Sequence, residues 1–144
     1  MLTEEPVLIE EFVRAGKLKL VFRDVLNHGE RSLRAHEAAA CAGLQQQFWS
    51  MHEVLFRDQP ETWAADNAGL LDLMKKKAST LPTLNQADFA ACMDQRQTLT
   101  RIQGTDAEQR KRGINTQPIF EIGSQRLIGR RPIAGWREIL AAAP

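Results

Sequence analysis

The order of short patterns along the chain is its strongest constraint: a helix, a strand, a long helical block, a hairpin and a last helix. Leu8, Ile9, Phe12 and Val13 recur at three- and four-residue spacing, which predicts a helix over residues 6–15 with Gly16 in the left-handed cap position. Residues 18–22 alternate around Lys19 and then turn apolar, the pattern of a short buried strand. Asn27, His28 and Gly29 supply the turn after it.

Helical periodicity then runs to about Arg112. Residues 31–42 are rich in Ala and Leu, and Gly43 marks their end. Residues 46–56 are amphipathic, with Phe48, Trp49, Leu55 and Phe56 on apolar faces and Pro60 closing the helix. Leu70, Leu71, Leu73 and Met74 predict a short helix that stops near Leu81 and Pro82. Asn85 suits an N-cap, and Phe89 and Cys92 share one face of the helix it opens. A further helix spans residues 96–112, weakened by Gly104. At Gly113 the pattern changes: Ile119, Phe120 and Ile122 read as a strand, Gly123 and Ser124 as a turn, and residues 126–128 as a returning strand. Pro132 fits the first turn of a final helix carrying Ile133, Trp136, Ile139 and Leu140.

A chain of 144 residues is read as a single domain, residues 1–144. Its net charge of +1 comes with no basic stripe, so no nucleic-acid partner is expected. Lys75, Lys76 and Lys77, the compact charge run, read as a solvated helix face. No stretch of about 18 apolar residues predicts a membrane span. The opening residues, acidic at Glu4 and Glu5, do not match an export signal. His28, His36 and His52 are scattered without ligand spacing, so neither a metal nor any other cofactor is expected. His52, set among aromatic residues, reads as a satisfied helix histidine rather than a base. Phe48, Trp49, Phe56 and Trp63 can be plain core or can line an apolar groove. Cys41 and Cys92 are too few for a disulfide scaffold, and as residues alone they also fit two buried thiols that pack like small apolar groups.

The element order, with residues 16–24, the pair of stretches at residues 38–42 and 48–56, Phe89 to Cys92, and Gly113-Ile114 followed by Gln117-Pro118-Ile119-Phe120 and Ile128-Gly129, resembles the DsbA-like thiol:disulfide oxidoreductases. The resemblance covers about residues 4–140. It implies an α/β thioredoxin-like fold whose core elements lie in residues 1–26 and 113–144, with residues 27–112 as a helical insertion. It also implies a cis bond before Pro118, at a face where Thr116, Gln117 and Pro118 bind extended or unfolded polypeptide. Where the family often has Thr before this proline, the chain has Gln117, which leaves the substrate preference open. Some family members join cysteines at the positions of Cys41 and Cys92 as a structural brace, which gives the disulfide reading its basis.

The departure from the family concerns the chemistry. The resemblance places Cys-x-x-C at the start of the helix that ends near Gly16, and no such motif is present: Leu44 and Gln95 occupy the plus-three positions of Cys41 and Cys92. Disulfide exchange requires a thiolate activated at a helix N-terminus with a resolving thiol one turn away. The expectation is therefore a redox-inactive chain with no catalytic residue. The resemblance further implies that Met1 falls inside the first helix and that the first core strand and the helix start are missing. That strand would separate residues 18–22 from the strand entered at Pro118, which should then not pair with each other. An extracytoplasmic location follows only from the family and a longer natural N-terminus. A non-redox peptide-binding or structural module using the proline face is the other reading. Relatives of the kappa-class glutathione transferases, which work without Cys-x-x-C, are a weaker third.

Overall fold

The computed structural model describes residues 2–142, so the expectation for Met1 lies outside the described residues. The first helix, α1 (Glu5–Leu8), starts with Pro6 in its first turn and continues as a wider π-helical turn, Ile9–Val13. Gly16, at φ +70°, ends it: its N–H donates to Val13 O, and Lys17 N–H reaches back to Phe12 O. These are the two bonds of the Schellman closure.

Residues 18–22 are not a hydrogen-bonded strand, which corrects the strand expected there. The period-two pattern is nevertheless real. Leu18, Leu20 and Phe22 are at least partly buried, whereas Lys19, Val21 and Arg23 are exposed. A strand is defined by its ladder partner, and among the described residues this segment has none. Sequence alternation records which face is buried; it does not supply the neighbour.

The helical block contains α2 (Glu30–Gly43), α3 (Phe48–Arg57), α4 (Gln59–Ala64), α5 (Leu70–Ala78), α6 (Gln86–Asp94) and α7 (Leu99–Lys111). Pro60 sits in the first turn of α4, so it opens that helix as well as ending α3. Helix α2 is the hub, packing on α3, α5, α6 and α7. Its Ala38, Ala39, Ala40 and Ala42 are all buried, and such small side chains let neighbouring helices approach closely. The core between these helices is filled by Met51, Val54, Met74, Phe89 and Met93 with the two cysteines. Asn85 caps α6 as its sequence suggests: Oδ1 accepts from the N–H groups of Ala87 at 3.0 Å and Asp88 at 3.2 Å.

The lysine run is corrected by the packing. Lys77 is only 3% exposed; its ammonium donates to Asp58 O at 3.0 Å and to the Glu61 carboxylate at 3.2 Å. Lys75 pairs with Asp94 at 2.6 Å. On a helix docked on one side, consecutive residues fan through about 100° each, so a run of three lysines spans about 200° and need not all face water.

Strands β1 (Ile119–Ile122) and β2 (Gln125–Ile128) form an antiparallel hairpin with Ile119 opposite Ile128 and Ile122 opposite Gln125. Gly123, at φ +56°, takes the first turn position, as a type II′ connection requires. The last helix, α8 (Ile133–Ala141), seats the buried Trp136 against Phe120, with ring centroids 4.6 Å apart in an edge-on arrangement. The result is a mixed α/β chain with eight α-helices and a two-stranded sheet among the described residues. Residues 18–22 and β1 do not pair with each other.

Candidate functional site

The loop that enters β1 is positioned from both sides. Helix α7 ends in a Schellman closure in which Ile114 N–H donates to Gln109 O and Gly113 N–H to Arg110 O, with Gly113 at φ +75°. Ile114 is buried, which fixes the exit of the helix. Glu121 of β1 is held by Arg112 at 2.6 Å and by its cross-strand partner Arg126 at 2.9 Å, and Arg126 also donates to Arg112 O at 3.1 Å. The Arg112 and then the Arg126 guanidinium keep the Glu121 carboxyl below its usual range. The hairpin is thus tied to the end of α7, and the turn between them carries Asn115, Thr116, Gln117 and Pro118.

In that turn the Gln117–Pro118 peptide bond is cis. Thr116, Gln117 and Pro118 are all exposed. Pro118 O accepts from Gly129 N–H at 2.9 Å, which closes the ladder, and Asn115 O accepts from the Asn27 amide at 3.2 Å. The main-chain groups of Thr116 and Gln117 make no hydrogen bond among the described residues. An exposed, anchored turn with free donors and acceptors can pair with an extended chain.

Cys41 of α2 and Cys92 of α6 are joined in a disulfide, with Cα atoms 5.9 Å apart. Both residues are buried, at 1% and 3% exposure. A sulfur pair so enclosed is out of reach of an attacking thiolate, and neither cysteine is left as a free nucleophile. Its role is to clamp two helices of the insertion.

Of the four aromatic residues that could be core or groove, Trp49 and Trp63 are exposed at 40% and 44%, whereas Phe48 and Phe56 are partly buried. Trp49 and Phe48 flank an open groove of about 480 Å³ whose other walls include Phe22, Val21, Leu44 and Arg101. Trp63 stands apart from it, edge-on to His28 at 4.8 Å. His52 is buried behind the groove among Phe22, Phe48, Trp49 and Phe56, with Nε2 3.2 Å from the Glu5 carboxylate. Through that contact it joins α1 to α3. His36 is likewise engaged, with Nδ1 2.8 Å from the buried Asp24.

Residues 18–27 are pinned at their far end by α7. Leu26 N–H donates to the Asp106 carboxylate at 2.8 Å, and Arg110 bonds both Asp106 at 2.8 Å and Leu26 O at 2.9 Å. Burial raises the Asp106 carboxyl, but the bonds from Arg110 and Leu26 outweigh it and leave the group below its usual value. Sequence reading missed Val21 and Leu44 as groove residues. Val21 carried a signal, because it is an apolar residue at an outward position between Lys19 and Arg23. Leu44, 66% exposed just beyond α2, carried none.

Among the described residues no group of three or more His, Cys, Asp or Glu side chains is placed to hold a metal ion. No described helix is long and apolar enough to cross a membrane. The family model for thioredoxin matches residues 3–142. The searches of curated proteins and of solved structures return no match.

Proposed function

The chain belongs to the thioredoxin family, and from that premise we propose that it is a DsbA-like relative of the thiol:disulfide oxidoreductases, redox-inactive in this sequence, that engages extended polypeptide at Thr116, Gln117 and Pro118. The observation that carries this reading is the fate of the sulfur. Both cysteines lie in one buried disulfide between α2 and α6, so no thiolate stands beside the exposed proline turn. Exchange would require an activated thiolate there with a resolving partner. What remains at that turn is a polar, main-chain recognition surface: Gln117 exposed, and the backbone of Thr116 and Gln117 without partners among the described residues. Binding by such a surface is driven by main-chain hydrogen bonds and therefore tolerates many sequences.

Two measurements on the intact chain test it. Insulin reduction and the refolding of a reduced, disulfide-requiring substrate should proceed at the uncatalysed rate. Turnover in either assay would reveal a thiol chemistry that the proposal denies. Titration with a reduced and alkylated, permanently unfolded protein should show saturable binding that falls about tenfold on Gln117→Arg. Binding unchanged by that substitution, or no binding, would remove the peptide-recognition half of the proposal.

A further inference from the structure

We infer that Asn27 is a positioning residue for the proline turn: its side-chain amide holds the Asn115 carbonyl and so presets the main chain of Thr116 and Gln117 for an incoming polypeptide. This role rests on the reading of that turn as a polypeptide site. The turn is anchored at both ends. Ile114 is buried at the exit of α7, and Pro118 O is engaged by Gly129 N–H at 2.9 Å. Between these anchors stand Asn115, Thr116 and Gln117, all exposed. The bond from Asn27 Nδ2 to Asn115 O, at 3.2 Å, is the one hydrogen bond that these three residues make among the described residues. It fixes a peptide plane directly before the two residues whose main-chain donors and acceptors are open.

Asn27 is itself oriented. A guanidinium can only donate, so Arg110 Nη2, 3.2 Å away, holds the amide oxygen Oδ1 on its own side and turns Nδ2 towards Asn115. Arg110 is held in turn by the Asp106 carboxylate at 2.8 Å and by Leu26 O at 2.9 Å, and Asp106 also accepts from Leu26 N–H at 2.8 Å. Helix α7 and the segment that ends at Asn27 thus converge on one amide, which passes their placement to the turn. An exposed, neutral bond of this length adds little to the stability of the whole fold. Its effect is local. A turn already in its binding shape keeps the ordering cost out of association, and one that samples other shapes binds more weakly in proportion to the time it spends in them. Sequence reading saw Asn27 only as part of a turn with His28 and Gly29, because its partner Asn115 lies 88 residues later.

Asn27→Asp in the intact chain separates positioning from support of the fold, because it keeps an oxygen for Arg110 and sets an acceptor in place of the donor facing Asn115 O. Its urea midpoint should match or exceed that of the wild type. Amide nitrogen relaxation should find Thr116 and Gln117 as ordered as rigid backbone in the wild type, with order parameters of about 0.85, and below about 0.6 in Asn27→Asp, while the β1 amides stay unchanged. Affinity for the reduced and alkylated unfolded protein should fall about fivefold. Gln117→Arg should lose affinity with the turn still ordered, which distinguishes a contact residue from a positioning one. The inference is overturned if the turn is already mobile in the wild type, if it is equally ordered in Asn27→Asp, or if Asn27→Asp binds as the wild type does. A fall in affinity that comes with a lower urea midpoint would make Asn27 a support of the fold and also overturn it. If the wild type binds no unfolded chain, the polypeptide reading of the turn fails, and the order parameters by themselves decide the role of Asn27.

Discussion

Breaking the Cys41–Cys92 bond should lower stability by an amount that the chain-entropy argument fixes. The bond closes a loop with a sequence separation of 51, and restricting that loop in the unfolded chain is worth about 4 kcal/mol at room temperature. Reducing the wild-type protein while it is unfolded and refolding it under reductant isolates this contribution, because both sulfurs stay in place in the core and the Cys41 thiol keeps Thr98 Oγ1, 3.9 Å away, as a weak partner. The variant with both Cys41→Ala and Cys92→Ala should lose about 1–2 kcal/mol more, since it also removes packed sulfur atoms from a core that includes Met51, Phe89 and Met93. Urea titration followed by circular dichroism measures both. For a chain of this size the reduced form should melt roughly 10–15 °C lower than the oxidised one. Its m-value should rise, because the unlinked denatured chain exposes more surface. If oxidised and reduced protein differ by less than about 1 kcal/mol with equal m-values, the loop-restriction argument is wrong for this chain, as would be the case if the denatured ensemble already held α2 and α6 together.

Four further outcomes are expected. Glu37 is fully buried and receives two bonds from the Arg96 guanidinium at 2.9 and 3.0 Å and a longer one from Arg34 at 3.4 Å, so Arg96→Ala should cost about 2 kcal/mol in urea unfolding by leaving the carboxylate with Arg34 alone. Because Arg96 occupies a left-handed position at φ +51°, Arg96→Gly should cost about 1 kcal/mol less than Arg96→Ala; equal losses would exclude the backbone contribution. Acid should weaken the protein through Glu4, whose carboxyl is lowered from 4.5 to about 2 by its hydrogen bond from Arg130. A depressed folded value means stability that is present above about pH 4.5 and lost as pH falls towards 2, so Arg130→Gln should flatten the unfolding free energy against pH in that window, and an unchanged slope would refute the linkage. Asn85→Ala, which removes the cap of α6, should lower stability by about 1 kcal/mol in thermal unfolding, and a loss below a few tenths would show the cap to be idle.

Apart from α4, whose Pro60 read only as the end of α3, the helices were legible in the sequence because each carries its own signals. Gly16 and Gly113 stand at helix ends, Asn85 at a helix start, and Pro132 immediately before the last helix. The hairpin was legible for the same reason, since its register follows from the two-residue Gly123-Ser124 turn between apolar stretches. The lack of a Cys-x-x-C is likewise a property of the sequence alone. These features depend on contacts within a few residues, which a linear pattern records.

Other outcomes depended on what each residue meets across the fold. Residues 18–22 have the pattern of a strand, yet a strand exists only with a neighbour, and nothing in the local sequence states whether one is present. Lys77 looks like its two neighbours but is buried, because α5 turns that residue towards Asp58, between α3 and α4, and Glu61 of α4. Arg96 occupies a left-handed cap where glycine would be easier, and its charge is required by Glu37, 59 residues earlier. The same holds for Cys41 and Cys92: free thiols and a bridge have identical sequence, and only the approach of α2 to α6 brings the Cα atoms to 5.9 Å. Local bonding writes itself into spacing and caps, whereas burial, charge pairing and the missing partner of an open edge are decided by elements far apart in the chain, whose docking no short window of residues encodes.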